Sequence, residues 1–466
     1  MVNESSEIEL AEASAKGLFI VGGTVKEVIA NSEPTSVREH LSSLLQVKNL
    51  VVLLGSGASF HLGSPKTRDL TNQQVLELIR NAGLSPTSED QALLTTINPT
   101  DSGDLEKLLN GLQLAASLAT QAGQDAVTLG SGSDAKSYSK SDVDGLRRRI
   151  NRALAEGCRL PKDGGLLDPP FDSDPLLAHR TFLSRILRSR RSNLPRARIF
   201  TTNYDLVIET ALDQLGYPYI DGFSGTVDRR LNLAFYGLDF HRVETTTQSV
   251  LARAEGALYL HKVHGSLNWR ASNDRDRLTG LESLEVKQSD VPAEDDELVL
   301  IYPTSAKEGD TLAYPYSDLL RLLGDAVQQE DTAVIVAGYG FADAHINRVL
   351  LRSLATNAAL NVLVADPYAV LDEPDLAALT SDAHQRQFND LSATPKATAI
   401  AALAKASDSR IAVLTGEPGK FTELAHLMPG SSPQGENPTG VASLIEALEQ
   451  AARGGTPPPI TGSDLL

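Results

Sequence analysis

The chain has 466 residues, 41% of them hydrophobic, with a net charge of -18 and a single cysteine, Cys158. Such a chain folds as a globular protein of two or three domains; internal disulfides and a cysteine-built metal site within one chain are excluded. The acidic balance opposes direct nonspecific binding to nucleic acid, which needs a surplus of Lys and Arg. No apolar run approaches the roughly 18 residues that span a bilayer, and the polar opening MVNESSEIELAEAS lacks the apolar core of a secretory signal, so a cytoplasmic protein with no membrane partner is expected.

In chain order, residues 1–46 are set apart as an N-terminal segment. The first strand pattern is NLVVLLG (Asn49–Gly55). About 140 residues with almost no strand signal follow, and three stretches in them carry helical periodicity: LTNQQVLELIRNAG, DLEKLLNGLQLAASLATQAG and VDGLRRRINRALAEG. A connection between sheet elements is normally a handful of residues, so positions 70–195 read as an inserted helical subdomain. Leu129–Asp142 (LGSGSDAKSYSKSD) reads as a loose loop inside it, and the basic run Arg185–Arg191 as a solvated helix face or a protein contact.

Further continuous apolar runs are RIFTTN (Arg198–Asn203), ALYLHKVHG (Ala257–Gly265), ELVLIYPTS (Glu297–Ser305), TAVIVAGYG (Thr332–Gly340) and LNVLVADP (Leu360–Pro367), with a weaker RIAVLTG at Arg410–Gly416. Runs that do not alternate fit strands covered on both faces. Helical patterns between several of them complete the picture of an α/β, doubly wound, mostly parallel Rossmann-like sheet. This domain spans 47–430, and the Gly/Pro/Ser-rich remainder, 431–466, reads as a flexible tail with one short helix.

Three short stretches carry polar groups where ligands collect in open α/β sheets. GSGAS (Gly55–Ser59) ends the first strand; such a turn can approach a pyrophosphate, or it can be a plain turn. Asn203, Tyr204 and Asp205 follow RIFTT, where one of Asn203 and Asp205 can cap the next helix while the other faces a ligand. His264, in HKVHGSLNW, ends another strand and suits proton transfer near neutrality, unless it is a satisfied structural histidine. His261, three residues earlier, fits the core or the opposite face.

Together and in order, these stretches resemble the sirtuin family. In GSGASFHLGSPKTR, Gly55, Gly57, Ser59, Gly63, Pro65 and Arg68 fall in register with its Gly-x-Gly-x-Ser, Gly-x-Pro and Arg; TTNYD resembles its Thr-x-Asn-x-Asp through Thr201, Asn203 and Asp205; and VHGS matches its His-Gly. VAGYGFAD (Val336–Asp343) looks like the glycine-rich turn that holds ribose and adenine, and Asp366 ends the next strand. The resemblance covers roughly Val47 to Pro367. It departs from protein deacylases in two places: the four-cysteine zinc ribbon is absent, and Lys66-Thr67 replace the usual Asp-Phe, whose ring shields the reactive sugar carbon from water. Those departures are similar to the bacterial sirtuin-like NADases of antiphage defence, some of which act beside a HerA-type ATPase.

The resemblance implies NAD+ as substrate, no zinc, and hydrolysis to nicotinamide and ADP-ribose, depleting NAD+ in an abortive antiphage response. It implies catalytic roles for Asn203 and His264. It implies pyrophosphate contacts from the amides of Gly55, Ser56, Gly57 and Ala58, with Ser59 and Arg68 nearby, and further NAD+ contacts from Thr202, Asp205, Gly338, Tyr339, Phe341, Asp343 and Asp366. An always-active NADase would kill its host, so control by homo-oligomer assembly or a partner such as a HerA-type ATPase is expected. The alternative is a sensor that holds NAD+ or ADP-ribose without turnover.

Overall fold

The computed structural model of the chain describes residues 17–29, 34–65, 70–101, 105–130, 135–160, 174–191, 193–243, 251–272, 285–288, 298–300, 314–341, 343–367, 400, 403–404 and 406–430. Its centre is a nine-stranded sheet: β1 (Gly17–Val21), β2 (Thr24–Ile29), β3 (Asn49–Leu54), β4 (Arg198–Thr201), β5 (Tyr219–Ile220), β6 (Leu258–Lys262), β7 (Thr332–Ala337), β8 (Leu360–Asp366) and β9 (Ile411–Thr415). The spatial order is β2-β1-β9-β8-β7-β3-β4-β6-β5. All pairs are parallel except β1 with β2 and β1 with β9. From β3 the chain builds outward through β4, then returns to the other side of β3 to lay down β7, β8 and β9. The strand order therefore reverses between β3 and β7, the switch point at which such sheets open a crevice.

Both faces of the sheet are covered, which explains the continuous apolar runs. On one face Val51, Leu53, Val334, Val336, Val362 and Val364 share a core with the helices α8 (Tyr316–Val327) and α9 (Ala344–Thr356). On the other, Leu50, Val52, Leu54, Ile199, Ile335 and Leu363 pack against α1 (Thr35–Leu45), α6 (Leu177–Ser189), α7 (Val207–Leu215) and α10 (Phe421–Leu427). Each buried Leu, Ile or Val side chain there contributes about 1.5–3 kcal/mol.

A third core stands apart from these two. It gathers α2 (Asn72–Asn81), α3 (Ser88–Ile97), α4 (Leu105–Gln121) and α5 (Lys140–Gly157) through Ile79, Leu93, Leu112, Leu146 and Ile150. Thr71 with Gln74, and Thr87 with Asp90, form capping boxes at the starts of α2 and α3. Buried Asp90 also accepts from Arg149 Nε at 2.8 Å, tying α3 to α5.

Several sequence expectations are corrected. Residues 17–45 are not a separate segment, because β1 and β2 form an antiparallel edge of the central sheet and α1 covers it. The helical core ends at Leu154 rather than near 195, since α6 buries Phe182, Leu183 and Ile186 against the sheet. The stretch read as a loose loop holds a strand, Lys136–Ser139, that pairs antiparallel with Ala126–Leu129 and runs straight into α5. Leu298–Leu300 does not join the parallel sheet; it pairs antiparallel with Gly265–Ser272 in a five-stranded sheet whose buried Trp269 packs edge-on against Phe223. The basic run is not simply a solvated face either. Buried Arg185 donates to the carbonyls of Ala425, His426 and Met428 at the end of α10, and Arg190 to those of Leu45, Val47, Lys48 and Pro195. The short tail helix expected near the C-terminus, and the rest of 431–466, lie outside the described residues.

Candidate active site

Strand register brings the polar motifs to one row. Leu54 of β3 is level with Ala337 of β7 and with Thr201 of β4, Thr201 with Lys262 of β6, and Ala337 with Ala365 of β8. One residue further on, Asp366, Gly338, Gly55, Thr202 and Val263 stand side by side across the carboxyl edge of the sheet. Asn203 and His264 each follow two residues after a paired position, on strands about 4.8 Å apart. Their loops are knitted by hydrogen bonds from Val263 N to Thr201 O at 2.9 Å and from Leu267 N to Tyr204 O at 3.0 Å.

The two glycine turns interlock at the switch point. A Cβ on Gly55 would lie 2.6 Å from Gly338 O, and one on Gly338, whose φ is +61°, would lie 2.2 Å from Ala58 N. The same closeness spends the amides expected to hold a pyrophosphate. Gly55 N donates to Ala337 O, Gly57 N to Gly338 O and Ala58 N to Gly55 O. Of those four amides, Ser56's alone has no such framework bond among the described residues.

From this turn Ser59, fully buried, reaches toward β4. Its Oγ donates to Asp205 Oδ2 at 2.9 Å and accepts from Asn203 Nδ2 at 3.2 Å. Asp205 Oδ1 accepts the amide of Val207, the first residue of α7, at 3.2 Å. Asp205 thus anchors the start of α7, while the amide oxygen of Asn203 is left unspent. Asn203 is 7% exposed, and its Oδ1 is buried with no hydrogen-bond partner. A buried acceptor left unpaired costs about 1–3 kcal/mol, which a ligand hydroxyl could recover.

On the other side, His264 Nε2 lies 3.0 Å from Asp343 Oδ2. The second carboxylate oxygen, Asp343 Oδ1, accepts the amides of His345 and Ile346 at 2.9 and 3.2 Å, capping α9. The helix start holds the carboxylate, and the carboxylate holds the ring. Sequence reading placed Asp343 among the nucleotide contacts; its partner is the histidine. The motif spacing gave no sign of this, because the pairing is set by the spatial order β7-β3-β4-β6, which sequence spacing does not specify.

The remaining candidates fall into two groups. Thr202, half-buried, donates its amide to Leu54 O, and Asp366 is buried at the end of β8. Tyr339 and Phe341 pack into the core: their rings lie 5.1 Å apart, and Tyr339 Oη donates to Asn347 Oδ1 and Asp343 O. Phe341 sits at φ +53°, a conformation that costs a bulky residue about 1–3 kcal/mol and fixes the turn. Arg68, with Lys66 and Thr67, lies outside the described residues.

One supporting pair escaped the sequence reading. Lys262, buried in β6, donates to the carbonyl of Asp205 and lies 3.2 Å from Glu209 Oε1 on α7. Burial raises the Glu209 carboxyl above its usual range, and Lys262 offsets part of that rise. The pair braces the floor of the Asn203 loop. His261 faces away from it, stacked between Phe200 and Tyr236 at 4.2 and 4.1 Å.

No curated protein matches the chain. Solved structures that resemble it include a Sir2 homologue mutant in complex with ADP-ribose (13% identity, 76% of this chain and 98% of that one, TM-score 0.29) and a Sir2 homologue–NAD complex (13%, 76% and 94%, TM-score 0.27). Superposition this loose gives no residue-by-residue correspondence. Among the family models, the one described as the SIR2-like domain matches residues 197–395, a stretch that starts one residue before β4 and includes Asn203, His264 and Asp343.

Proposed function

We propose that the chain binds NAD+ over the switch-point crevice and hydrolyses the bond between nicotinamide and ribose. The observation that carries this reading is the buried, unpartnered Asn203 Oδ1 standing level with a histidine held by a carboxylate. A ribose offers hydroxyl donors to that amide oxygen. Nicotinamide departs as a neutral base from a cationic pyridinium, so the leaving group needs no proton. The glycosidic electron pair passes to the ring nitrogen, and the oxygen of water bonds to the sugar carbon. The proton released from that water, or from an activated ribose hydroxyl, goes to His264. Such proton transfer contributes about 10²–10⁴ in rate. Asp343 keeps the imidazole aimed. Asp205 and Ser59 act through Asn203, fixing its amide.

The motif resemblance supports the wider setting: NAD+ depletion in antiphage defence, silenced until an oligomer or a HerA-type ATPase partner assembles. To test the chemistry, the purified chain is incubated with NAD+, alone and with its genomic neighbour's product, and the mixture resolved by chromatography. Equimolar nicotinamide and ADP-ribose are predicted. NAD+ held but left intact under both conditions would make the chain a sensor instead.

A further inference from the structure

At the opposite edge of the sheet, where β4 and β6 begin, lies a cavity of about 420 Å³ that the crevice chemistry does not use. Arg188, Arg190, Arg191, Arg196 and Arg253 line it, with Glu255. In a chain with a net charge of -18 this is a marked local reversal. Compensation is thin. Asp239 pairs with both Arg196 and Arg253, the latter at 2.7 Å, while Glu255 makes no ion pair among the described residues.

Most donors of the inner cations are spent on the framework. Arg190 serves four carbonyls, and its guanidinium is pushed down to about 10 by burial and by the charge of Arg253. Arg253 uses Nε for Asp239 and Nη1 for Leu194 O. Arg188 uses Nε for Tyr217 Oη, and the side chain of exposed Arg191 makes no ion pair or hydrogen bond among the described residues. The outer guanidinium forks therefore keep free donors turned to a concave, positive space. Tyr217 forms one wall of that space, its ring packed against Gly256, where an added Cβ would come within 2.8 Å.

We propose that this cavity is a second binding site, for a compact polyphosphate such as the tail of a nucleoside di- or triphosphate, held by Arg188, Arg191 and Arg253. Guanidinium forks match phosphate oxygens two at a time, and the volume falls within the range of small-ligand sites. Arg196 and Ala197 precede β4 while Asn203 follows it, so about 20 Å of extended chain separates this site from the crevice. The two sites can be filled independently.

Calorimetric titration with inorganic tripolyphosphate tests the proposal on three proteins: the parent, Arg188→Gln with Arg191→Gln, and Asn203→Ala. The first two substitutions fall on exposed side chains, and a thermal melt checks that the fold survives. Binding to the parent and to Asn203→Ala alike, weakened tenfold or more in the double variant, is expected. Absent binding to the parent, or undiminished binding to the double variant, overturns the site. Loss in Asn203→Ala alone would also overturn it, by moving the anion to the crevice and leaving the NAD+ reading untouched. A single-stranded oligonucleotide binding more tightly than tripolyphosphate would overturn the compact-ligand assignment.

Discussion

The amide of Asn203 is fixed on one side by Ser59 and open on the other, and this asymmetry is what the account asks of it. Asn203→Ala is predicted to reduce nicotinamide release at least 10²-fold while leaving the thermal midpoint near the parent's. His264→Ala should lose 10²–10⁴ in kcat. Asp343→Asn is more informative, because an asparagine still caps α9 yet cannot hold the imidazole as the carboxylate does. A fall in kcat of about 10²-fold with KM little changed is predicted; full activity would reduce Asp343 to a helix cap. At this scale the sequence was legible where chemistry is local. Asn203, Asp205 and His264 announce themselves at strand ends. Their pairings did not: Ser59 with Asp205, Asp343 with His264 and Lys262 with the Asp205 carbonyl are joined across 57 to 146 residues of chain, and only topology brings them together.

Among elements, α6 shows how a charge pattern can mislead. Arg185 and Arg188 lie one turn apart, yet Arg185 is buried under α10 and Arg188 is exposed. Arg185→Met should lower the unfolding free energy by about 2–4 kcal/mol, because three carbonyls at the end of α10 lose a charged donor. Arg188→Ala should stay within about 0.5 kcal/mol; equal effects in denaturant titration would contradict this assignment. Strand β6 carries a pH signature. Burial, with the nearby charge of Arg198, lowers the His261 pKa to about 3, and its Ile199 backbone bond only partly opposes this. Below pH 6.5 the unfolded chain takes up a proton that folded His261 refuses until about pH 3. Stability therefore declines as pH falls through that window, by up to about 1.4 kcal/mol per unit. His179, stacked on His61 and tilted against Phe421, is lowered in the same direction. His261→Phe should give a shallower decline between pH 6.5 and 4, measured by chemical denaturation; parallel slopes would contradict it.

Over the whole molecule, the parallel strands were legible because burial on both faces writes a continuous apolar run. The antiparallel edge was not, since the sequence of β1 and β2, GLFIVGGTVKEVI, could equally be a free hairpin until β9 supplies its partner. The row of site residues also depended on register, which apolar runs do not specify. The central claim is spatial: one ribose is shared by Asn203 and His264. A crystal structure of the His264→Ala protein with NAD+ measures it directly. The account predicts a nicotinamide-ribose hydroxyl about 3 Å from the Asn203 amide oxygen, with the sugar facing the space the imidazole leaves; a dinucleotide bound elsewhere, or a ribose turned away from Asn203, would contradict it.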